Sequence, residues 1–142
     1  MKITITRVDQ SLPMPTFQTK GAAGFDLYAR QAVTIPAQKV GYIPLNVIVQ
    51  LPANFWVMMA ARSSLHKKGL MMINGIGVGD ADFRGPQDEY QAALFNFTHE
   101  DSVVQKGDRL VQMIILPRQI IELVESSQTE EKGSRGGFGS TG

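Results

Sequence analysis

At 142 residues, 43% apolar and 19% charged, the chain is long enough for one domain with its own core and too apolar to be disordered. Fourteen Lys and Arg against thirteen Asp and Glu leave a net charge of +1, so nothing electrostatic argues for a nucleic-acid or membrane partner. The chain has no Cys and only two His, His66 and His99, which excludes disulfides, thiolate zinc sites, cysteine nucleophiles and a histidine-rich metal site.

The opening MKITITRVDQ lacks an apolar signal core, so the expected location is cytoplasmic or otherwise intracellular. Lys2 to Thr6 alternates in the period of a half-buried strand. Ala32 to Ile35 stops at Pro36. Between Lys39 and Arg62 lie 22 residues without a charge, but two prolines and several amides argue against a spanning helix. Two strands, Leu45 to Gln50 and Phe55 to Ala60, joined by a turn at Leu51 to Asn54, explain this stretch better. One helical turn is expected at Ser63 to Lys68, with Ser63 as its cap and Gly69 as its end. Strand-like runs follow at Leu70 to Ile73, Ala92 to Phe97, Leu110 to Leu116 and Ile120 to Val124. Many short strands with turn signals predict an all-β sandwich, jelly roll or barrel. The last eleven residues, from Lys132, hold five glycines and one apolar side chain. They cannot hold themselves on the core, and the ordinary reading is a frayed terminus, although Phe138 and Arg135 argue against a mere linker.

Four stretches could carry chemistry. In Gly21 to Leu27, small residues flank Gly24 and Asp26 offers a carboxylate; alone this reads as a strand-edge turn with a solvated Asp. Ala61-Arg62-Ser63-Ser64-Leu65 joins backbone N–H groups, two hydroxyls and an Arg, which suits an oxyanion or phosphate; an ordinary cap with an exposed Arg is the alternative. In Asn74 to Gly85, three alternating glycines suggest a β-hairpin whose backbone can lie against a flat ligand. On an extended strand Asp80 and Asp82 would share a face. In Lys106 to Gln112 a tight turn enters a buried strand, and Gln112 either finds partners there or faces water from an edge.

Together these stretches resemble the homotrimeric dUTP diphosphatase (dUTPase) family. The matching segments are AAGFDLYA (22–29), ARSSL (61–65), NGIGVGDADFRG (74–85), KGDRLVQ (106–112) and RGGFGSTG (135–142). The resemblance implies a jelly-roll (β-clip) subunit with at most one short helix, over residues 1–131. Residues 132–142 would be a flexible Gly-rich arm closing over the active site. It also implies a homotrimer with shared sites, dUTP as substrate and Mg²⁺ as cofactor. The products would be dUMP and pyrophosphate, which limits uracil incorporation into DNA and supplies dUMP.

Residue by residue, Asp80 resembles the carboxylate that activates the attacking water and touches the 3′-hydroxyl. Asp26 resembles the residue that binds Mg²⁺ through water. Arg62, Ser63 and the Ser64 amide match the α/β-phosphate contacts, and Gln112 a contact to the outer phosphates. Backbone from Asn74 through Gly77 to Val78 would read the uracil edge. Phe83 stands where the family usually has Tyr, under the deoxyribose, and would exclude a 2′-hydroxyl. In the arm, Phe138 would stack on uracil, with Gly137, Gly139 and Ser140 beside the phosphates. Arg135 or Lys132 would reach the γ-phosphate. Two departures matter most. Gly79 replaces a branched aliphatic beside Asp80, so a looser hairpin is expected. Pro86 to Tyr90 adds a few residues, which leaves the local register open.

Two rival readings remain at this level. A dCTP deaminase on the same fold would need a catalytic Glu where this chain has Ala93. A non-catalytic nucleotide-binding protein would not need Asp26, Ser63, Asp80, Gln112 and Phe138 all intact.

Overall fold

The computed structural model describes residues 1–127 and 136–137. In chain order the elements are β1 (Thr4–Arg7), β2 (Phe25–Tyr28), β3 (Val33–Ile35), β4 (Val40–Pro44), β5 (Val47–Gln50) and β6 (Phe55–Ala61). A single 3-10 turn (Leu65–Lys68) follows, then β7 (Leu70–Met72), β8 (Gly77–Gly79), β9 (Gln91–Asn96), β10 (Ser102–Val104) and β11 (Arg109–Pro117). All paired strands are antiparallel. The larger sheets run β2-β11-β6-β8 and β4-β9-β7, and β1-β5 and β10-β3 form two-stranded ribbons. This is the expected all-β jelly-roll architecture, with no helix beyond the 3-10 turn among the described residues.

Period-2 alternation explains the layering. In β9, Ala92, Leu94 and Asn96 are buried while Gln91 is exposed. In β6, Val57 and Met59 face inward. Leu27, Val57 and Met113 of the four-stranded sheet share one buried cluster with Ile43, Leu70 and Leu94 of the three-stranded sheet. Each such side chain contributes about 1.5–3 kcal/mol of burial, and this sets the two sheets face to face. Asn96, fully buried, is satisfied on every side. Its Nδ2 donates to the Ile35 and Glu100 carbonyls at 2.9 and 2.7 Å. Its Oδ1 accepts from the Thr98 N–H and hydroxyl at 2.9 and 2.7 Å. A buried amide with all its bonds made ties the end of β9 to β3.

Several expectations need correction. The run Ile120 to Val124 is not a strand: Ile120, Ile121, Leu123 and Val124 are 71–89% exposed, because no strand among the described residues lies beside them. Ser63 does not cap the 3-10 turn. Ser64 occupies the cap position in a helical conformation and makes no side-chain cap bond, while Gly69 ends the turn at φ 70° as expected. The glycine segment is not a hairpin of paired strands: β7 pairs with β9 in one sheet, and β8 pairs with β6 in the other. Gly75, at φ 71°, makes the bend that carries the chain between the sheets. Gln112 is not on an edge, since β11 is the inner strand between β2 and β6.

Candidate active site

Two groups of expected residues come together at two places. The first lies at the end of the four-stranded sheet where β11 begins. The register sets Gln112 opposite Asp26 on one side and Ala60 on the other. Asp26 is buried at 6% exposure, which overturns the solvated-turn reading. It avoids the cost of a bare buried charge by pairing with two guanidinium groups. Its Oδ1 lies 3.1 Å from Arg62 Nε, and its Oδ2 accepts from Arg109 Nη1 at 3.2 Å. Arg62 Nη1 also donates to the Arg109 carbonyl at 3.1 Å. Gln112 is half-buried and donates to the Ala61 carbonyl at 3.4 Å. Ser63 and Ser64 stand exposed just beyond. The result is a carboxylate with two cations, two hydroxyls and an amide facing one rim.

The second place is a cavity of about 450 Å³. Its walls include Asn74, Gly77, Val78, Gly79, Asp80 and Phe83, with Tyr90 and Ala93 behind them. Gly77 and Gly79 point inward, and a Cβ on either would collide with Met59 or Tyr90. That close packing draws the β8 backbone down to form the cavity wall. Asp80 is exposed and follows β8 rather than lying in it. The Phe83 N–H donates to the Asp80 carbonyl at 3.2 Å, so the chain turns after Asp80. Asp80 and Asp82 therefore do not share a strand face, as had been expected. The Phe83 ring meets Tyr90 edge-on, with centroids 5.1 Å apart.

The segment 86–90, open in register from the sequence, is pinned. Arg30 holds Glu89 with two bonds of 2.8 and 3.0 Å, and the Asn46 N–H adds a third at 2.9 Å. Glu89 lines the cavity but is consumed by these contacts. Ala93 contributes only a methyl group where ring deamination would need an acid. The expected looseness beside Gly79 is also corrected, because the Tyr90 phenol fills the space that a branched side chain would take.

Within one chain the two places are far apart. Gly79 pairs with Val57 near the start of β6, whereas Arg62 follows its end. Continued by one residue, that register brings Asp80 to Trp56, and Arg62 lies six positions further along the chain, about 20 Å away. Of the arm, Gly137 is exposed; Lys132, Arg135, Phe138, Gly139 and Ser140 lie outside the described residues. Sequence reasoning missed Arg109 and Tyr90. Arg109 was inside a quoted segment, but only the β2–β11 register reveals its contact with Asp26. Tyr90 had no signal, since its role depends on the space left by Gly79.

No group of three or more His, Cys, Asp or Glu that could hold a metal occurs among the described residues. Asp26 alone offers one carboxylate, already shared by two cations. This donor set fits Mg²⁺ only as a hydrated ion whose other oxygens come from a bound phosphate chain.

Comparison with known proteins bears on the same residues. The dUTPase family model matches residues 10–142. The deoxyuridine 5'-triphosphate nucleotidohydrolase of Desulfitobacterium hafniense (strain DSM 10664 / DCB-2) is 42% identical, over 100% of this chain and 95% of the relative. That of Helicobacter pylori (strain P12) is 36% identical, over 100% of this chain and 97% of the relative. Among solved structures, the dUTPase of Streptococcus mutans superposes with a TM-score of 0.77 at 27% identity, over 83% of this chain and 98% of that one. The dUTPase of Staphylococcus bacteriophage 80alpha with dUPNHPP gives 0.86 at 22% identity, over 99% and 98%. A family match over most of the length, on the segments that build both halves of the site, settles the assignment: this chain belongs to the dUTPase family of dUTP diphosphatases.

Proposed function

We propose that this chain hydrolyses dUTP to dUMP and pyrophosphate in a site completed by neighbouring copies of itself. The observation that carries the reading is the exposed Asp80 carboxylate at the rim of the cavity. It has no side-chain partner among the described residues, while Glu89, the other carboxylate lining the cavity, is engaged. A free carboxylate beside a nucleoside-sized cavity is poised to accept a proton from water. In that step the water oxygen bonds to the α-phosphorus, its proton passes to Asp80, and the bond to the leaving pyrophosphate breaks. The solved 80alpha structure with dUPNHPP supports a nucleotide triphosphate as the ligand of this fold.

Base and sugar selection follow from the cavity wall. The Asn74 to Val78 backbone would read the uracil edge, leaving no room for a 5-methyl group. The Phe83 ring would lie under the deoxyribose and exclude a 2′-hydroxyl. Arg62, Ser63, the Ser64 amide and Gln112 would hold phosphate oxygens. Asp26 would hold Mg²⁺ through water, and the ion, when bound, supplies neutralisation of phosphate charge. A structural Mg(II) ion in the phage phi11 dUTPase is consistent with that cofactor. Arg109 would share the Asp26 carboxylate between counter-charge and cation. The arm from residue 132 would close over the nucleotide, with Phe138 on the base and Gly137, Gly139 and Ser140 at the phosphates. Arg135 or Lys132 would meet the γ-phosphate.

The separation of about 20 Å along β6 supports sharing of the site between subunits, because one chain cannot bring Asp80 and Arg62 onto the same phosphate. An apolar outer face on β4-β9-β7 supports the homotrimer: Val40, Tyr42, Met71 and Ile73 are all exposed there. The test has two parts. Incubation with dUTP and Mg²⁺ should release pyrophosphate, with little from dCTP, dTTP or UTP; equal rates on dCTP would defeat the uracil reading. Asp80→Asn chains refolded together with chains ending at residue 131 should regain activity that neither has alone. Verified mixed trimers as inactive as both parents would defeat the shared site.

A further inference from the structure

Tyr90 is 5% exposed, and its hydroxyl has no hydrogen-bond partner among the described residues. Asn46 and Asn96, the other buried neutral polar side chains, are both bonded. An orphaned buried hydroxyl is costly, and one that persists calls for an explanation. Packing does not provide it. Phe at 90 would fill the same slot over Gly79 and meet Phe83 with the same edge, without the orphan. The hydroxyl sits against Gly79, where a Cβ would collide with it, and the next residue is Asp80. Burial, followed by the Asp80 and Asp88 carboxylates, pushes the phenol up to about 12, so at neutral pH it is a donor.

The charged groups around it narrow the choice of acceptor. Asp88 Oδ2 accepts from the Gly85 N–H at 2.6 Å, and Glu89 is held by Arg30. Asp82 and Arg84 lie on the exposed turn beyond Asp80. Asp80 and Asp82 both lack a side-chain bond among the described residues, and of the two only Asp80 lines the same cavity as Tyr90.

Building on the diphosphatase reading above, we propose that Tyr90 is a positioning residue for Asp80. Its hydroxyl donates to one oxygen of the Asp80 carboxylate in the working site and fixes the other toward the attacking water. One anchored oxygen removes the free rotation of an exposed carboxylate, and alignment of this kind acts on the chemical step rather than on substrate affinity. The phenol that the cavity lacks at Phe83 is thus present behind it, in a different role.

The test is Tyr90→Phe, which keeps the ring and removes only the donor. Thermal stability should not fall, because the variant loses an unpaired buried hydroxyl. The kcat for dUTP should drop about 10-fold while KM and dUMP affinity stay near wild type. In an Asp80→Asn background the same change should have no further effect on kcat, since the carboxylate it serves is gone. Unchanged kcat in Tyr90→Phe overturns the proposal, and so does a loss carried by KM. If the wild-type chain leaves dUTP intact, the diphosphatase reading fails and this one with it. If the wild type is active and the variant equals it, only the role of Tyr90 fails.

Discussion

The two halves of the site solve opposite problems. The Asp26 end is built of charges that already satisfy one another, with two guanidinium groups on one buried carboxylate. The cavity end is built of space, and its reactive carboxylate is left alone at the rim. One carboxylate against two guanidinium groups leaves the cluster with an excess positive charge, so Asp26 is paired before ligand arrives and a phosphate chain then meets cations that are already in place. A proton acceptor, in contrast, gains from having no partner until water and substrate reach it. On the proposed reading the cluster carries stability as well as binding, whereas Asp80 carries function alone.

Substitutions should separate the two halves along these lines. Asp80→Asn should lower kcat by about 10²–10⁴-fold with thermal stability and nucleotide affinity kept, as read by steady-state kinetics and a melting curve. If Asp82→Asn were crippled instead, the assignment within the pair would be reversed. Asp26→Asn should do what Asp80→Asn does not, costing about 1–3 kcal/mol of stability. The value stays below that of a fully buried pair because Arg62 and Arg109 are about a third exposed. An unshifted denaturation midpoint would show that the ion pairs carry little. Phe83→Ala should leave phosphate binding intact and raise the UTP/dUTP ratio of kcat/KM; an unchanged ratio would move sugar selection to the backbone around Asp80.

The smallest effect lies outside both halves. The Lys106 ammonium, with the Ser11 hydroxyl and N–H behind it, holds the Asp9 carboxyl well below its ordinary 3.8. A depressed carboxylate contributes stability above its unfolded value and loses it as pH falls. Lys106→Met should therefore be slightly less stable than wild type near neutrality, with the two melting curves converging below about pH 4. A constant gap down to pH 2 would contradict the linkage.

Local pattern made most strands legible, because β5, β6, β7, β9 and β11 are short apolar runs closed by turn residues. It did not reveal partners. The run at Leu70 to Met72 and the glycine segment are adjacent in sequence yet belong to different sheets, and no periodicity distinguishes that from a hairpin. β4 was missed because Gly41 and Pro44 read as breaks, although pairing with β9 holds them. Asp26, Arg62, Gln112, Asp80 and Phe83 stood out in their motifs, and the fold gathers the first three at one place and the last two at the other. Arg109 did not stand out, since its contact depends on the register between β2 and β11. Ile120 to Val124 shows the converse. Apolar composition marks a strand only if another strand lies alongside.

The slot shared by Gly79 and Tyr90 also makes the two positions depend on each other. A side chain at 79 has no room while the phenol stands there, for its Cβ would collide with the Tyr90 oxygen and ring. Truncating Tyr90 alone leaves a cavity, a defect of a few kcal/mol that a folded protein can survive. Enlarging Gly79 alone would displace the strand that ends at Asp80. The pair can therefore be exchanged only through the smaller side chain, and Gly79→Ile should be tolerated far better beside a small residue at 90 than beside tyrosine.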